Sequence, residues 1–217
     1  GWLRSYLGID PFAATGARAG GEPVALDPID WLIVPSQKLL SIVSGEVFHD
    51  GLSVAAVLSE SSPGGPRPGA EDESGGEGAL ESLRHGLAWY PDDVWRYLIA
   101  SAWQRIAQEE HLVGRAGQTG DELGARVIAA RLARDAMRLG FLFERTYAPY
   151  AKWFGRAFAA LGASERLGSC LAAVSVTGTW HERDQALAAA YRELARMHNE
   201  LRITLPLPIE PRRFFGR

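Results

Sequence analysis

The sequence predicts an all-α fold, and three observations carry that prediction. Strand patterns, in which polar and apolar residues alternate, are nearly absent from the 217 residues. Apolar residues instead recur at the spacing of helix faces over long stretches. Helix-start signals precede several of these stretches. We therefore expect a bundle of about five to seven helices, and the 47% of residues that are hydrophobic suffice to form its core.

The N-terminal section, residues 1–58, contributes the first expected helix, from about Ile29 to Ser44. Pro35 lies inside that span, where a proline removes a backbone donor and is expected to kink the helix. The chain begins at Gly1 without an initiator methionine and without a signal-peptide pattern. We therefore interpret this section as the junction to an upstream domain that is missing from the sequence.

A second section, residues 59–79, is rich in Gly, Pro, Ser and acidic residues and contains almost no large apolar side chain. Such a composition buries too little apolar surface to offset the entropy of ordering the chain. We predict a flexible, disordered insertion here, followed by a helical bundle domain over 80–217.

The bundle domain contains the remaining expected helices. A proline and two acids begin the helix at 91–110, and a long helix is expected from about Asp121 to Arg145. The next helix opens with Pro149 and closes with Gly162, and "SERLGSCLAAV" forms a shorter one. Thr179 with Glu182 is a capping box at the start of the last helix. The tail "TLPLPIEPRRFFGR" is expected to be extended.

The faces of two helices carry polar groups of interest. On the 91–110 helix, Gln104 and Gln108 belong to an uncharged polar stripe, whereas Glu109 lies on an apolar face. A carboxylate in that position is either paired with an arginine or has a raised pKa, and an ion pair is favoured. The 121–145 helix is apolar over most of its girth, which predicts a central position in the bundle. Its basic stripe is either a solvated face or an anion-binding wall, and it consists of Arg131, Arg134, Arg138 and Arg145.

Composition excludes several classes of function. The net charge of −3 argues against a nucleic-acid partner, and no apolar run reaches the roughly 18 residues of a membrane span. The single Cys170 cannot form an internal disulfide, which is typical of a reducing, cytoplasmic compartment. The sequence has no zinc-type Cys/His spacing, no phosphate-binding Gly-rich loop, no G-x-S-x-G motif and no Asp-x-Asp pair. We therefore predict no metal site in this chain.

His198 lies on the apolar stripe of the last helix. The favoured interpretation is a buried structural histidine whose ring is satisfied by a neighbouring carbonyl or carboxylate. The alternative is catalytic, because the spacing of Arg192 and His198 matches the loose Arg-x4–6-His pattern of HEPN ribonucleases. That pattern arises easily by chance in an arginine-rich helix.

Several separate blocks of the sequence resemble one known family. They are "DWLIVPSQKLLSIVSGEVFHDG", the run from "LAWYPDDVWRYLIASAWQ" to "RTYAPYAKWFGRAF", "ARMHNEL" and "TLPLP". Together they cover most of residues 28–208 and resemble an uncharacterised bacterial family, a domain of unknown function that lies C-terminal to a nucleotidyltransferase domain. The segment 52–82 looks longer than is usual for that family.

The resemblance implies an all-helical domain similar to the C-terminal half of kanamycin nucleotidyltransferase, which completes the active site of a catalytic domain. In that enzyme the helical half supplies a lysine for the nucleotide phosphates and a carboxylate base for the acceptor. Carried over to this chain, the lysine role falls on Lys152, and the carboxylate role falls on Asp121 or Glu109. Mg²⁺ and a nucleoside triphosphate are expected only with an upstream catalytic domain.

Lys152 is one of only two lysines in the chain, the other being Lys38, and it falls in the expected first turn of the 149–162 helix. A cation there is unfavourable beside the helix dipole unless an anion is bound. We therefore predict a helical, nucleotide- or substrate-binding domain that is inactive alone. The alternatives are a HEPN-like RNA-binding or RNase domain and a structural interaction bundle. The candidate binding residues are Lys152, Arg156, Arg115, Gln104, Gln108, Arg131 and Arg138.

Overall fold

The structure is a computed structural model that describes residue 26, residues 28–44 and residues 84–211. The described ranges contain eight helices and no strand, which confirms the predicted all-helical fold. In chain order the helices are α1 (Pro28–Ile33), α2 (Ser36–Val43), α3 (Asp92–Glu109), α4 (Leu112–Gln118), α5 (Glu122–Phe143), α6 (Ala151–Phe158), α7 (Ala163–Val176) and α8 (Trp180–Leu201).

The chain divides into two compact units with a boundary between Val94 and Trp95, inside the first turn of α3. The described part of the first unit is held together by aromatic contacts. The ring of Trp31 meets the ring of Tyr90 edge-on, with centroids 5.7 Å apart, and Leu39 is fully buried. The Nε of Arg84 donates to the carbonyl of Ile42 over 3.2 Å. The predicted divisions at 58 and 79 lie in residues outside the described ranges, as does the predicted insertion 59–79.

The expected helix from Ile29 to Ser44 is two helices, so the prediction of a single kinked helix was wrong. The chain leaves α1 at Val34 and enters α2 after Pro35, whose backbone is extended (φ −62°, ψ 130°). Pro35 lacks the N–H that would continue the hydrogen-bond ladder, so it stands as the N-cap of a new helix instead.

The sequence also failed to predict α4. It follows a turn at residues 110–111 and contains Gly114 and Gly117, which lower helix propensity. Packing explains why a helix forms there: Val113 is fully buried, and Gly117 lies against the indole of Trp180. A Cβ at Gly117 would come within 2.1 Å of the Trp180 ring, so only glycine allows this contact.

In the second unit α5 is the central helix, as its apolar girth predicted. It packs against α4, α6, α7 and α8. Its buried side chains include Leu132, Leu139 and Phe141. Leu123, in its first turn, departs from the pattern because 74% of its surface is exposed.

The junction of α5, α7 and α8 is organised around Arg183, whose side chain is fully buried. Its Nη1 donates to the carbonyl of Thr177 over 3.0 Å, at the C-terminal end of α7. Its Nη2 donates to Glu122 in the first turn of α5, and the same carboxylate accepts from the backbone N–H of Trp180 over 3.2 Å. The Arg183 side chain therefore joins the ends of three helices, through an ion pair to α5 and a hydrogen bond to α7, and we call these residues the helix junction.

Glutamate side chains cap the starts of α8 and α7. The predicted capping box is confirmed: Glu182 N donates to Thr179 Oγ1 over 3.3 Å, and the Glu182 carboxylate accepts from Thr179 N over 3.0 Å. The bond from Thr179 N is the main cause of a lowered pKa of Glu182. At α7 the cap residue Gly162 has no side chain, and Glu144 accepts from the N–H groups of Gly162 and Ala163 instead.

The tail after α8 folds back along that helix. Asn199 forms two hydrogen bonds with Leu207, donating Nδ2 to its carbonyl over 3.0 Å and accepting from its N–H over 2.7 Å. Further on, Glu210 pairs with Arg192 over 3.1 Å. Residues 202–211 contain no helix. The predicted extended tail covers 204–217, of which 212–217 lie outside the described ranges. Within the described ranges every helix is too short or too polar to cross a membrane.

Candidate functional site

The short helix α6 presents two different faces. Phe154 and Phe158 are buried, and the Phe154 ring lies 5.2 Å from that of Phe141 on α5, centroid to centroid. Gly140 permits the close approach of Phe158 to α5, because a Cβ there would lie 3.1 Å from Phe158 Cε2. The opposite face of α6 is exposed, and its side chains project into solvent.

The exposed face carries Lys152 and Arg156, one helical turn apart. The ammonium of Lys152 lies 5.0 Å from the centroid of the Trp153 ring, which is 45% exposed. Tyr150 is the N-cap and provides no side-chain hydrogen bond to the first turn. Among the described residues neither cation has a carboxylate within 4 Å. We call Lys152, Trp153 and Arg156 the α6 face.

Glu109, a candidate base, forms an ion pair with Arg131, a candidate binding residue. The predicted alternative of a paired carboxylate is therefore confirmed. The pair joins the last turn of α3 to the middle of α5, and both side chains remain partly exposed. Arg131 thus has a partner inside the fold.

Arg138 lies next to a carboxylate that the sequence analysis did not single out. Asp135 is only 7% exposed, and its Oδ1 is 3.8 Å from Nη1 of Arg138 and 3.8 Å from Nη1 of Arg105. Burial, followed by the charge of Arg134, lowers the pKa of Arg138. Arg105, Arg134, Arg138 and Asp135 form what we call the arginine cluster.

A spacing signal could have revealed the cluster. Arg105 and Glu109 are four residues apart on α3, and Arg131 and Asp135 are four residues apart on α5. When two helices run antiparallel, residues at equal spacing along them face one another, so Arg105 meets Asp135 and Glu109 meets Arg131. Trp95 Nε1 donates to the carbonyl of Leu142 over 2.7 Å in the same antiparallel register.

The other candidate residues lie elsewhere on the surface. Asp121 is the N-cap of α5, where its Oδ1 accepts from Gly124 N over 2.7 Å. Arg115 on α4 is exposed, as are Gln104 and Gln108 on α3. The contacts of these four residues do not link them to the α6 face.

His198 is buried, as predicted, with 4% of its surface exposed. Its partners differ from the expected carbonyl or carboxylate: Trp103 Nε1 donates to Nδ1 over 3.3 Å, and Nε2 lies 2.8 Å from Thr204 Oγ1. Since Trp103 can only donate, Nδ1 is the acceptor and the proton is on Nε2. Both ring nitrogens are engaged, and the Arg192 side chain is paired with Glu210.

The described residues contain no group of three or more His, Cys, Asp or Glu side chains that could hold a metal ion.

Comparison with protein families gives one match. Residues 73–154 match the family model described as Domain of unknown function (DUF4037). The match supports an uncharacterised domain family, and its range extends from the end of the predicted insertion into α6, including Lys152. No curated protein and no solved structure matches the chain.

Proposed function

We propose that the helical region is the nucleotide- or substrate-binding half of a nucleotidyltransferase-like protein, and that the α6 face contacts the phosphates. A catalytic domain upstream would bring the metal-binding motif that this sequence lacks. Mg²⁺ and the nucleoside triphosphate belong to that assembled protein. The resemblance of the motif blocks supports the proposal, and the family match over 73–154 supports an uncharacterised domain family.

The observation that carries the proposal is the environment of Lys152. Its ammonium lies in the first turn of α6, where the helix dipole disfavours a cation, and no carboxylate among the described residues offsets it. A phosphate at this end would receive the lysine charge together with the free N–H groups of the first turn. An exposed first-turn lysine is then favourable because the anion supplies the missing counter-charge.

The aromatic neighbour adds a second contact of the same kind. Trp153 is half-exposed beside the ammonium, and an indole face is a surface on which a nucleobase stacks. Arg156, one turn further on, can donate two parallel hydrogen bonds to a phosphate. The cytoplasm, where nucleoside triphosphates are abundant, is the compartment that fits this role.

Asp121 and Glu109 remain the candidate bases for the acceptor. Glu109 is already paired with Arg131, whereas the hydrogen bond that caps α5 uses only Oδ1 of Asp121. Asp121 therefore keeps one carboxylate oxygen free of a described hydrogen bond, so its carboxylate is the less engaged of the two.

The test is calorimetric titration of each nucleoside triphosphate with Mg²⁺ into the full-length protein, including any upstream domain. One charge-assisted contact contributes about 1.5–3 kcal/mol, so Lys152→Ala should weaken binding by roughly tenfold or more. The melting temperature should not change, because the side chain is exposed.

The matched control is Arg126→Ala, which removes an exposed cation from α5. It should leave nucleotide affinity unchanged. Equal affinities for the original protein and its Lys152→Ala variant would remove Lys152 from the site and overturn the proposal.

A further inference from the structure

The arginine cluster carries more positive than negative charge. With the neighbouring ion pair of Arg131 and Glu109, four arginines of α3 and α5 face two carboxylates. Glu109 is occupied by Arg131, so Asp135 alone balances the remaining three guanidinium groups. Within the described residues this part of the surface therefore has a formal charge of +2.

The contacts of Asp135 are too long to hold the arginines tightly. Both guanidinium groups lie 3.8 Å from the same oxygen, Oδ1, whereas a charge-assisted hydrogen bond is about 2.7–2.9 Å long. Asp135 can therefore orient Arg105 and Arg138 without using up their donors. Their side chains are 54% and 40% exposed, so the remaining N–H groups reach solvent.

Arg134 is the third arginine of the group. It lies one turn before Arg138 on α5, and its Cζ is 6.0 Å from the centroid of the Phe154 ring. That contact keeps the guanidinium over an aromatic face and leaves its edge N–H groups unused. Arg134 and Arg105 are both close enough to Arg138 to lower its pKa.

We propose that Arg105, Arg134 and Arg138 form an oxyanion-binding site whose ligand is a phosphate group, with Asp135 as a positioning residue. Planar guanidinium groups match the geometry of phosphate oxygens, and a dianion would balance the formal charge of +2. The partly buried position reduces screening by water, which strengthens the attraction. The site is separate from the α6 face and does not depend on the function proposed above.

The probe is inorganic phosphate, added to the full chain at constant ionic strength set with NaCl. The arginine Nε–Hε signals of a ¹⁵N-labelled sample should shift with a saturable dependence on phosphate for Arg105, Arg134 and Arg138. The signal of Arg126, exposed on the same helix, is the internal control and should not show saturation.

Variants separate a binding role from a structural one. Arg138→Gln and Arg134→Gln should each weaken phosphate binding by about fivefold or more. Asp135→Asn should tighten it, because the amide keeps an oxygen that can accept from the guanidinium groups while the competing negative charge is removed. Arg134 has no ion pair among the described residues, so Arg134→Gln should fold even if a change at the buried Asp135 does not.

Two results would overturn the inference. One is equal, non-saturable shifts for Arg126 and the three cluster arginines, which would show only a solvated basic surface. The other is unchanged phosphate affinity in Arg134→Gln and Arg138→Gln. Lys152→Ala should leave phosphate binding at the cluster intact, so failure of the α6 proposal and failure of this one give different results.

Discussion

The helix junction and the arginine cluster use the same side chain in opposite ways. In the junction, Arg183 is fully buried and its two terminal nitrogens donate to Glu122 and to backbone carbonyls at the end of α7. In the cluster, Arg105 and Arg138 are half-exposed and lie 3.8 Å from one shared carboxylate. The first arrangement fixes the ends of helices, whereas the second leaves donors facing solvent.

This difference indicates which arginine side chains are available to bind a ligand. A buried guanidinium has lost its hydration and is retained only because its partners replace the water. An exposed guanidinium beside a distant carboxylate keeps its water and can exchange it for an anion at low cost. Mutations in the helix junction should therefore lower stability, whereas mutations in the arginine cluster and on the α6 face should weaken ligand binding.

The largest effect is expected at Arg183. Replacing it with alanine leaves the Thr177 carbonyl without its donor and opens a cavity at three helix ends, so the free energy of unfolding should fall by about 3–5 kcal/mol. Denaturant unfolding followed by circular dichroism measures this. Glu122→Gln keeps an acceptor for the backbone N–H of Trp180 but leaves the buried charge of Arg183 without its counter-charge, so it should also be destabilising. A decrease in the free energy of unfolding of less than about 1 kcal/mol for Arg183→Ala would contradict the structural role of the helix junction.

Gly117, which packs against Trp180 of the helix junction, should show the next largest loss of stability on mutation. A Cβ at Gly117 would come 2.1–2.5 Å from the Trp180 ring atoms, so Gly117→Ala must displace the indole or α4. Overpacking of this kind typically costs about 1–3 kcal/mol. Thermal unfolding of the variant checks it, and an unchanged melting temperature would mean that Trp180 is free to move.

His198 extends the comparison to a buried group that can change its charge. Burial lowers its pKa below the ordinary 6.5, because removal from water disfavours the charged form of the ring. Above about pH 6.5 stability from this residue is fully present. As the pH falls below that value, the unfolded chain binds a proton that the folded chain resists, so stability decreases until the folded-state pKa is passed.

The measurement for His198 is the free energy of unfolding between about pH 5 and 8, for the original chain and for His198→Ala. The variant should be less stable at pH 8 and should lack this part of the pH dependence. An identical pH dependence in both proteins would assign it to other groups. Loss of a specific RNA cleavage activity without loss of stability would instead support the HEPN alternative.

The smallest change in stability is expected for a glycine of α6, and its replacement should stabilise the protein. Gly155 is exposed within α6, and a Cβ there would meet nothing within 4 Å. Gly155→Ala should therefore stabilise the protein by about 0.5–1 kcal/mol, because it reduces the backbone entropy lost on folding. Compared with Gly117→Ala, it tests whether the two regions differ in packing. A destabilised Gly155→Ala variant would mean that another part of the protein covers this face.

Several features followed from the sequence alone. The capping box of Thr179 and Glu182 and the start of α5 at Asp121 are local, since they depend on residues within one helical turn. The central position of α5 followed from its apolar girth, and the burial of His198 followed from its stripe. The sequence also predicted Glu109 in an ion pair, because a carboxylate on an apolar face needs a partner.

Other features depended on contacts between residues far apart in the chain. Gly114 and Gly117 oppose a helix at α4, and packing explains why one forms: Val113 is buried, and Gly117 lies against the indole of Trp180, some sixty residues later. The arginines of the stripe have different neighbours: Arg131 pairs with Glu109, Arg138 lies beside Asp135, and Arg134 lies over the Phe154 ring. Helix periodicity places a side chain on a face but does not identify its neighbour, so these contacts depended on the packing of α5 against other helices. The histidine partners Trp103 and Thr204 come from α3 and the tail, so tertiary packing alone brought them to the ring.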